Sequence, residues 1–322
     1  MKRWKTQKMT YPETGREKIS AFGHVDALRL KLNDLTYKLG AVAHNPDYEL
    51  KLAVEYLMRT DFWQLKAGIV PLNGDLQHGL RLVEKAVELR LKTRFPIQYI
   101  LGRAPFFGLD FYVDQSVLIP RPETELVVEQ ALSLIPEDRE FRCADVGTGS
   151  GCIAVAIAVN RPLVRCVATD ISEKALAIAR KNAAKHGVDD RIDFLLADVL
   201  DGVKGKFDLI VSNPPYVKTD EMRNLQVEVK FEPEEALDGG EDGLKVIRKL
   251  LRDSGKKLKA EGHLVFEISP MIAEAVAELL ESESWHYTIK EDYSGQARVV
   301  VATHNREVSG FGKALGKIFG KG

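Results

Sequence analysis

The sequence predicts an α/β protein: a doubly wound, mainly parallel seven-stranded sheet, with a small helical N-terminal domain joined to it by a β-hairpin. Three observations carry this expectation. Short continuous apolar runs alternate with helical segments in the second part of the chain, the pattern of strands buried on both faces. Before that, between Gly23 and Arg94, apolar residues recur at helical spacing. The first apolar strand also runs straight into a glycine-rich turn that opens a helix, the place where such sheets take their ligands.

Residues 1–20 read as a mobile N-terminal tail, followed by a small helical domain over 21–95. Its apolar stripe runs through Leu28, Leu30, Leu32 and Leu35, then Leu50, Val54, Leu57 and Met58, and resumes at Leu80, Val83, Val87 and Leu91. Breaks fall at Asn45-Pro46 and at Pro71-Leu72-Asn73-Gly74. A β-hairpin linker occupies 96–122, where FFGLDFYVDQSVLIP alternates around Gly108-Leu109-Asp110. The α/β domain covers 123–305. Its strands are expected at Arg142–Val146, Val164–Asp170, Ile192–Leu196, Phe207–Ser212, His263–Ile268, Trp285–Lys290 and Arg298–Thr303. One helix between them is marked by Ser172 as N-cap and Gly187 just past its end. Residues 306–322 form a basic tail with Lys313, Lys317 and Lys321, read as a solvated end.

Composition narrows the function. With 45% hydrophobic and 29% charged residues, disorder is excluded as the main character of the 322-residue chain. Lys+Arg 46 against Asp+Glu 47 leaves a net charge of −1, too balanced for a protein that holds nucleic acid mainly through its phosphates. No apolar run approaches the roughly 20 residues of a membrane span. The basic N-terminus has no apolar segment behind it, and Glu13 and Glu17 speak against a transit peptide. Cys143, Cys152 and Cys166 sit in apolar stretches without C-x-x-C pairing and read as reduced, buried thiols of a cytoplasmic protein. The histidines show no H-E-x-x-H spacing, so metal catalysis has little support.

The chemistry concentrates at strand ends. Gly147, Gly149 and Gly151 alternate with Thr148 and Ser150 after Asp145, and glycine there lets a ligand approach the backbone without a Cβ in the way. Cys152 stands where a dinucleotide fingerprint has its third glycine, which disfavours a pyrophosphate cradle. Asp170 ends the second strand, where a carboxylate can accept from both ribose hydroxyls. Asp198 follows the third strand, placed to accept from an adenine amine, and Val199 either covers one face of the adenine or belongs to the core. Each aspartate alone is more often a cap or turn residue, but on successive strand ends beside a glycine loop they outline an adenosine-shaped site. A nucleoside bound without a phosphate cradle points to S-adenosylmethionine (S-adenosyl-L-methionine), whose sulfonium makes its methyl electrophilic.

The fourth strand ends in Asn213-Pro214-Pro215-Tyr216. Two prolines cannot continue a ladder and stiffen the turn. The Asn213 side-chain carbonyl and the Pro214 backbone carbonyl can together accept both hydrogens of a planar NH2 group, with Tyr216 stacked on its face. Such a nitrogen is a poor nucleophile because its lone pair is delocalised. Paired acceptors aim that lone pair at the methyl, each worth about 2–4 kcal/mol of barrier by analogy with oxyanion-hole donors. An ordinary Asn-Pro loop turn is the alternative, and its coincidence with the glycine loop disfavours it.

Asp145-Val-Gly-Thr-Gly-Ser-Gly-Cys-Ile-Ala154 and Asn213-Pro-Pro-Tyr216 resemble the cofactor and acceptor motifs of class I S-adenosylmethionine-dependent methyltransferases that act on planar nitrogen. More narrowly, the chain resembles the HemK/PrmC family, the peptide chain release factor N(5)-glutamine methyltransferases. That likeness rests on Pro96-Ile-Gln-Tyr-Ile-Leu-Gly102, Phe106-Phe-Gly108, Val117-Leu-Ile-Pro-Arg-Pro-Glu-Thr-Glu125, Phe231-Glu-Pro233 and Gly239-Gly-Glu-Asp-Gly243, over about residues 95 to 303. It implies a class I methyltransferase fold in which Gly147 to Gly151 wrap the methionine end of the cofactor and Asp170 holds the ribose. It further implies that Asp198 and Val199 flank the adenine, that Asn213 also belongs to the cofactor-binding set, that Asn213 and Pro214 hold the substrate amide, and that Pro215 and Tyr216 shape that pocket. The implied partners are class I peptide chain release factors, methylated on the glutamine of their Gly-Gly-Gln loop and gripped with the help of the helical domain. The segment Arg121-Pro122-Glu123-Thr124 is implied to lie by the cofactor entrance, while on its own it reads as a capped helix start. The family pattern after the fifth strand is Glu-x-Gly and then Gln, whereas this chain has Glu267, Ser269 and Ile272, a departure that bears on the turn there.

Three alternative functions share parts of this pattern. Ribosomal-protein glutamine methyltransferases are the nearest, and the Pro-Arg-Pro-Glu-Thr-Glu run favours the release-factor branch. Adenine-N6 nucleic-acid methyltransferases share the Asn-Pro-Pro-Tyr turn, but extruding a base calls for a basic cleft and a sequence-reading domain that this composition does not offer, so no direct nucleic-acid substrate and no membrane are expected. A non-catalytic binding scaffold would be expected to lose Asn213, Pro214 and Asp170 first, and all three are present.

Overall fold

In the computed structural model, which describes residues 15–69 and 74–304, a helical unit runs up to Leu101 and an α/β unit starts at Gly102. The helical unit contains α1 (Gly15–Leu39), α2 (Pro46–Met58), α3 (Phe62–Ala67), α4 (Gly74–Thr93) and α5 (Ile97–Leu101). Asn45 caps α2 by accepting from the Tyr48 N–H, with Pro46 in the first turn, and Asp61 caps α3 by accepting from the Gln64 N–H. Leu28, Leu32, Leu35 and Leu39 of α1 pack on Leu50, Val54, Phe62, Leu65, Val83 and Val87. Leu30 is 70% exposed, off the i, i+4, i+7 stripe to which the sequence had assigned it. Arg90 is 1% exposed and is held by Glu49 at 2.8 and 3.0 Å and by the Val42 carbonyl at 3.2 Å, so its buried charge is paired and hydrogen-bonded.

Two expected boundaries shift. Helix α1 already begins at Gly15, so residues 15–20 are helical instead of tail. Helix α5 belongs with the helical unit, because buried Ile97 packs on Leu52 and Ala86; the hairpin itself starts only at Arg103. The rest of the expected N-terminal tail, the C-terminal tail and the break at Pro71-Leu72-Asn73 lie outside the described residues.

The α/β unit opens with β1 (Arg103–Phe106) and β2 (Leu109–Tyr112). Their turn is Phe107-Gly108, with φ of 50° and 72°, and Phe106 pairs with Leu109. Two consecutive positive φ values suit the right-handed twist of a hairpin. The sequence had centred this turn on Gly108-Leu109-Asp110, because a phenylalanine in the left-handed region has no signature in the pattern. There follow α6 (Glu125–Leu134), β3 (Phe141–Val146), α7 (Cys152–Asn160), β4 (Val164–Asp170), α8 (Glu173–Lys185), β5 (Ile192–Leu196), β6 (Phe207–Ser212), α9 (Lys245–Lys257), β7 (Leu258–Glu267), α10 (Ala273–Ser282), β8 (Trp285–Glu291) and β9 (Ala297–His304).

These seven strands form one sheet in the order β5-β4-β3-β6-β7-β9-β8. Strands β3 to β7 pair in parallel, and β9 runs antiparallel to both β7 and β8. Strand β7 begins at Leu258, earlier than the expected His263, because Leu258 pairs with Phe207 across a register shift. Helix α7 is apolar on every side, and Cys152 to Ala158 are all buried between α6, α8 and the sheet. On the other face Ile247, Leu250 and Leu251 of α9 and Val276 and Leu280 of α10 complete the second core layer. Cys143, Cys152 and Cys166 are free and buried. Among the described residues, no helix is long and apolar enough to cross a membrane, and no group of His, Cys, Asp and Glu is placed to hold a metal ion. The chain winds outward from β3 through β4 to β5 and then returns to β6 on the other side of β3, which opens a crevice at the carboxyl ends of these strands.

Candidate active site

The crevice is a cleft of about 1010 Å³, part of it open to solvent, lined by the ends of β3, β4 and β6 and by the segments that follow them. Gly147, Thr148, Gly149 and Ser150 form its floor, Asp170, Asp198 and Val199 one side, and Asn213, Pro214 and Pro215 another.

The glycine loop is tied down from several directions. Asp145, fully buried at the end of β3, accepts from the Thr148 hydroxyl at 2.6 Å and from the Ala154 N–H at 3.1 Å. The Thr148 N–H donates to the Thr169 carbonyl at 2.9 Å, and the Gly149 N–H to Asp170 Oδ2 at 2.9 Å. Asp170 Oδ1 accepts from the Ser172 N–H, so the start of α8 fixes the other end of this carboxylate. Gly147 and Gly149 have φ of 68° and 55°, and a Cβ on either would meet open space, which leaves their backbone bare toward the cleft. Asn182, buried in α8, takes the Tyr112 N–H on its Oδ1 at 2.7 Å and donates to the Ser150 carbonyl at 2.8 Å, joining the hairpin to the loop. Burial raises Asp145 to about 7 and pushes the Cys152 thiol up to about 12; Asp170 is also raised by burial, against its backbone hydrogen bonds.

The Asn-Pro-Pro-Tyr turn is clamped from behind. The Val217 N–H donates to the Leu237 carbonyl at 3.0 Å and the Gly239 N–H to the Val217 carbonyl at 2.7 Å. A Cβ on Gly239 would lie 2.8 Å from Tyr216 Cα, so only glycine permits this approach. Asn213 Nδ2 donates to Thr124 Oγ1 at 3.0 Å, and Thr124 Oγ1 donates to Glu267 Oε2 at 2.6 Å. The Tyr216 hydroxyl donates to Glu267 Oε1 at 3.1 Å. Burial raises Glu267 above the usual carboxylate range, and burial together with the Glu267 charge raises the Tyr216 phenol. Buried Glu232 joins Arg121 and accepts from the Ile119 N–H, fastening the segment before α6 to the loop after the turn; burial raises it too.

Of the residues expected in the site, the structure brings Gly147, Thr148, Gly149, Ser150, Asp170, Asp198, Val199, Asn213, Pro214 and Pro215 to one cleft. Gly151 and Tyr216 are not among the residues that line it: Gly151 starts α7 at φ 80° and lies against Ala179, and Tyr216 donates its hydroxyl to Glu267. Asp198 sits at the rim, its carboxylate 3.8 Å from Lys249 Nζ. Val199 combines the two readings left open for it: it lines the cleft, and it is buried at a φ of 57°, rare for a β-branched residue. The Arg121–Thr124 segment, implied to lie by the cofactor entrance, lines the cleft through Arg121 and Thr124, while Asn182, Glu232 and Glu267 were given no role in the site by the sequence. Asn182 and Glu267 read as a helix-surface and a strand-end residue, and Thr124 caps α6 with no side-chain cap bond because its hydroxyl is used elsewhere. Ser269 and Ile272 fit their turn: Ser269 accepts from the Met271 N–H, and Ile272 is buried in the core.

Residues 125–234 match the family model described as "Methyltransferase small domain". Among curated proteins, the chain is 40% identical over 255 residues to the release factor glutamine methyltransferase of Flavobacterium psychrophilum, covering 76% of this chain and 89% of that one. It is 39% identical over 212 residues to the protein of the same name from Aquifex aeolicus, covering 66% of this chain and 75% of that one. Among solved structures, the catalytic domain of hMettl16 in complex with MAT2A 3'UTR hairpin 6 superposes with a TM-score of 0.51 at 17% identity, over 70% of this chain and 81% of that one, a likeness of fold alone. With a doubly wound seven-stranded sheet, a bare glycine loop and this extent of identity, the chain belongs to the release factor glutamine methyltransferase family.

Proposed function

We propose that this protein transfers the methyl of S-adenosylmethionine to the side-chain amide nitrogen of the glutamine in the Gly-Gly-Gln loop of class I peptide chain release factors. The observation that carries the reading is the shared cleft, in which a rigid Asn213-Pro214 corner opens onto the same space as the glycine loop and Asp170. The residues present fit the cofactor. The uncovered backbone of Gly147 and Gly149 would hold its methionine end, the Asp170 carboxylate would accept from the ribose, and Asp198 and Val199, which line the same cleft, would flank the adenine. When bound, S-adenosylmethionine supplies an electrophilic methyl. The chain itself contributes orientation. Asn213 Oδ1 and the Pro214 carbonyl take the two amide hydrogens, hold the nitrogen still and turn its lone pair toward the cleft floor. The two prolines keep these acceptors from relaxing as positive charge develops on nitrogen, which is electrostatic preorganisation. The methylated nitrogen is strongly acidic, and its proton passes to water without a dedicated base.

The test is mass spectrometry of a purified release factor after incubation with this protein and methyl-labelled S-adenosylmethionine. A single added methyl on the Gly-Gly-Gln glutamine is the expected result. Label in a ribosomal protein or in nucleic acid, with none on the release factor, would transfer the assignment to that substrate.

A further inference from the structure

The corner that holds the substrate amide is itself an amide, and it works only one way round. A primary carboxamide has a donor end and an acceptor end of nearly the same shape, so Asn213 can turn either toward the substrate at little steric cost. With Nδ2 forward, it would oppose the hydrogens of the incoming NH2 group. Something must choose the orientation.

We propose that Thr124, anchored by Glu267, is the positioning residue that fixes the Asn213 side chain with Oδ1 toward the acceptor nitrogen. The argument is one of donor and acceptor parity along a buried chain. Glu267, 1% exposed, accepts at both oxygens as a carboxylate, from Tyr216 at Oε1 and from Thr124 at Oε2, 2.6 Å away; these two hydrogen bonds and the Arg298 charge favour its ionised form against burial. A hydroxyl has a single hydrogen. Since that of Thr124 is given to Glu267, only its lone pairs remain for Asn213, and they accept nothing but an N–H. Nδ2 therefore faces Thr124 at 3.0 Å, and Oδ1 is left for the substrate. Thr124 is 2% exposed, so water does not compete for its hydrogen. The three groups come from segments far apart in the chain, 89 residues between Thr124 and Asn213 and 143 between Thr124 and Glu267. This inference rests on the function proposed above and adds to it a reason for the threonine in the segment before α6.

T124V keeps the shape and removes the hydroxyl, and T124S restores it. T124V is expected to lower kcat on the release factor by at least about tenfold, the worth of one hydrogen bond to a neutral partner. The KM for the factor and the Kd for S-adenosylmethionine should stay within about threefold, since neither binding surface is removed. T124S should recover most of the loss. Wild-type kcat in T124V, or equal losses in T124V and T124S, would overturn the inference. A second readout does not depend on turnover or on which substrate is correct. By NMR, the side-chain NH2 protons of Asn213 should exchange slowly with solvent in the wild type and at least about tenfold faster in T124V. Equal exchange would overturn the inference even if the release factor is confirmed as substrate, whereas slowed wild-type exchange without methylation of the factor would contradict only the substrate.

Discussion

A Cβ placed on Gly243 would lie 2.6 Å from the carbonyl oxygen of Tyr216, closer than any side chain permits, and Gly243 also has a φ of 78°. The Gly-Gly-Glu-Asp-Gly loop is thereby pressed against the backbone that leaves the acceptor corner. G243A combines left-handed strain with this clash, so it is expected to destabilise the fold by about 1–3 kcal/mol and to lower kcat more than cofactor affinity. Urea unfolding and titration calorimetry with S-adenosylmethionine measure the two effects. Unchanged stability would show that the loop gives way.

The two sides of the cleft should separate by mutation. D170A removes the carboxylate assigned to the ribose and leaves the Gly149 and Ser172 N–H groups without their partner. Its Kd for S-adenosylmethionine should rise by roughly 10- to 100-fold, about 1.5–3 kcal/mol for hydrogen bonds to a charged group. N213A should keep that Kd within about twofold and lose at least about 100-fold in kcat. Equal loss of binding in both variants would contradict the division of roles.

The fold was largely legible in the pattern of apolar runs. All seven strands lie where the sequence places them, since a strand buried on both faces announces itself by a continuous run such as Phe207–Ser212. Exceptions have local causes: the polar stretch at the start of β7 is strand only because Leu258 reaches Phe207, and the hairpin turn rests on Phe107 at a positive φ. The cleft floor was legible because glycines and strand-end aspartates act through backbone position. What supports it was not. Glu267 and Thr124 acquire their roles through a hydrogen bond across 143 residues, and Glu232 meets Arg121 across 111, relationships that no spacing encodes.

Asp145 gives the fold a pH dependence of definite sign. Burial raises its pKa from an ordinary 3.8 to about 7, so the folded state keeps a proton that the unfolded chain releases. Stability contributed by this group is full below about pH 4 and falls as pH rises to about 7, on the order of a few kcal/mol. D145N does not titrate. Its unfolding free energy should therefore gain on that of the wild type between pH 4 and 7 and run parallel above. A difference that stays constant across this window would show that Asp145 is ionised throughout.

Val199 trades backbone strain for position. A β-branched residue at φ 57° stores about 1–3 kcal/mol, which V199G would release while losing a buried side chain. V199G should cost at least about 1 kcal/mol less than V167G, the same change at an equally buried valine of β4 without such strain. Cofactor affinity should fall only for V199G. Equal costs, measured by thermal and chemical unfolding, would mean that the strain is absorbed elsewhere.

The account stands on a stiff corner that receives a flat NH2 group through two oxygens. The most direct measurement is a crystal structure with S-adenosylhomocysteine and a Gly-Gly-Gln peptide of a release factor bound together. The expected result is the glutamine nitrogen within about 3.2 Å of both Asn213 Oδ1 and the Pro214 carbonyl oxygen, facing the cofactor sulfur. A glutamine held elsewhere in the cleft, or an Asn213 with Oδ1 turned to Thr124, would contradict it.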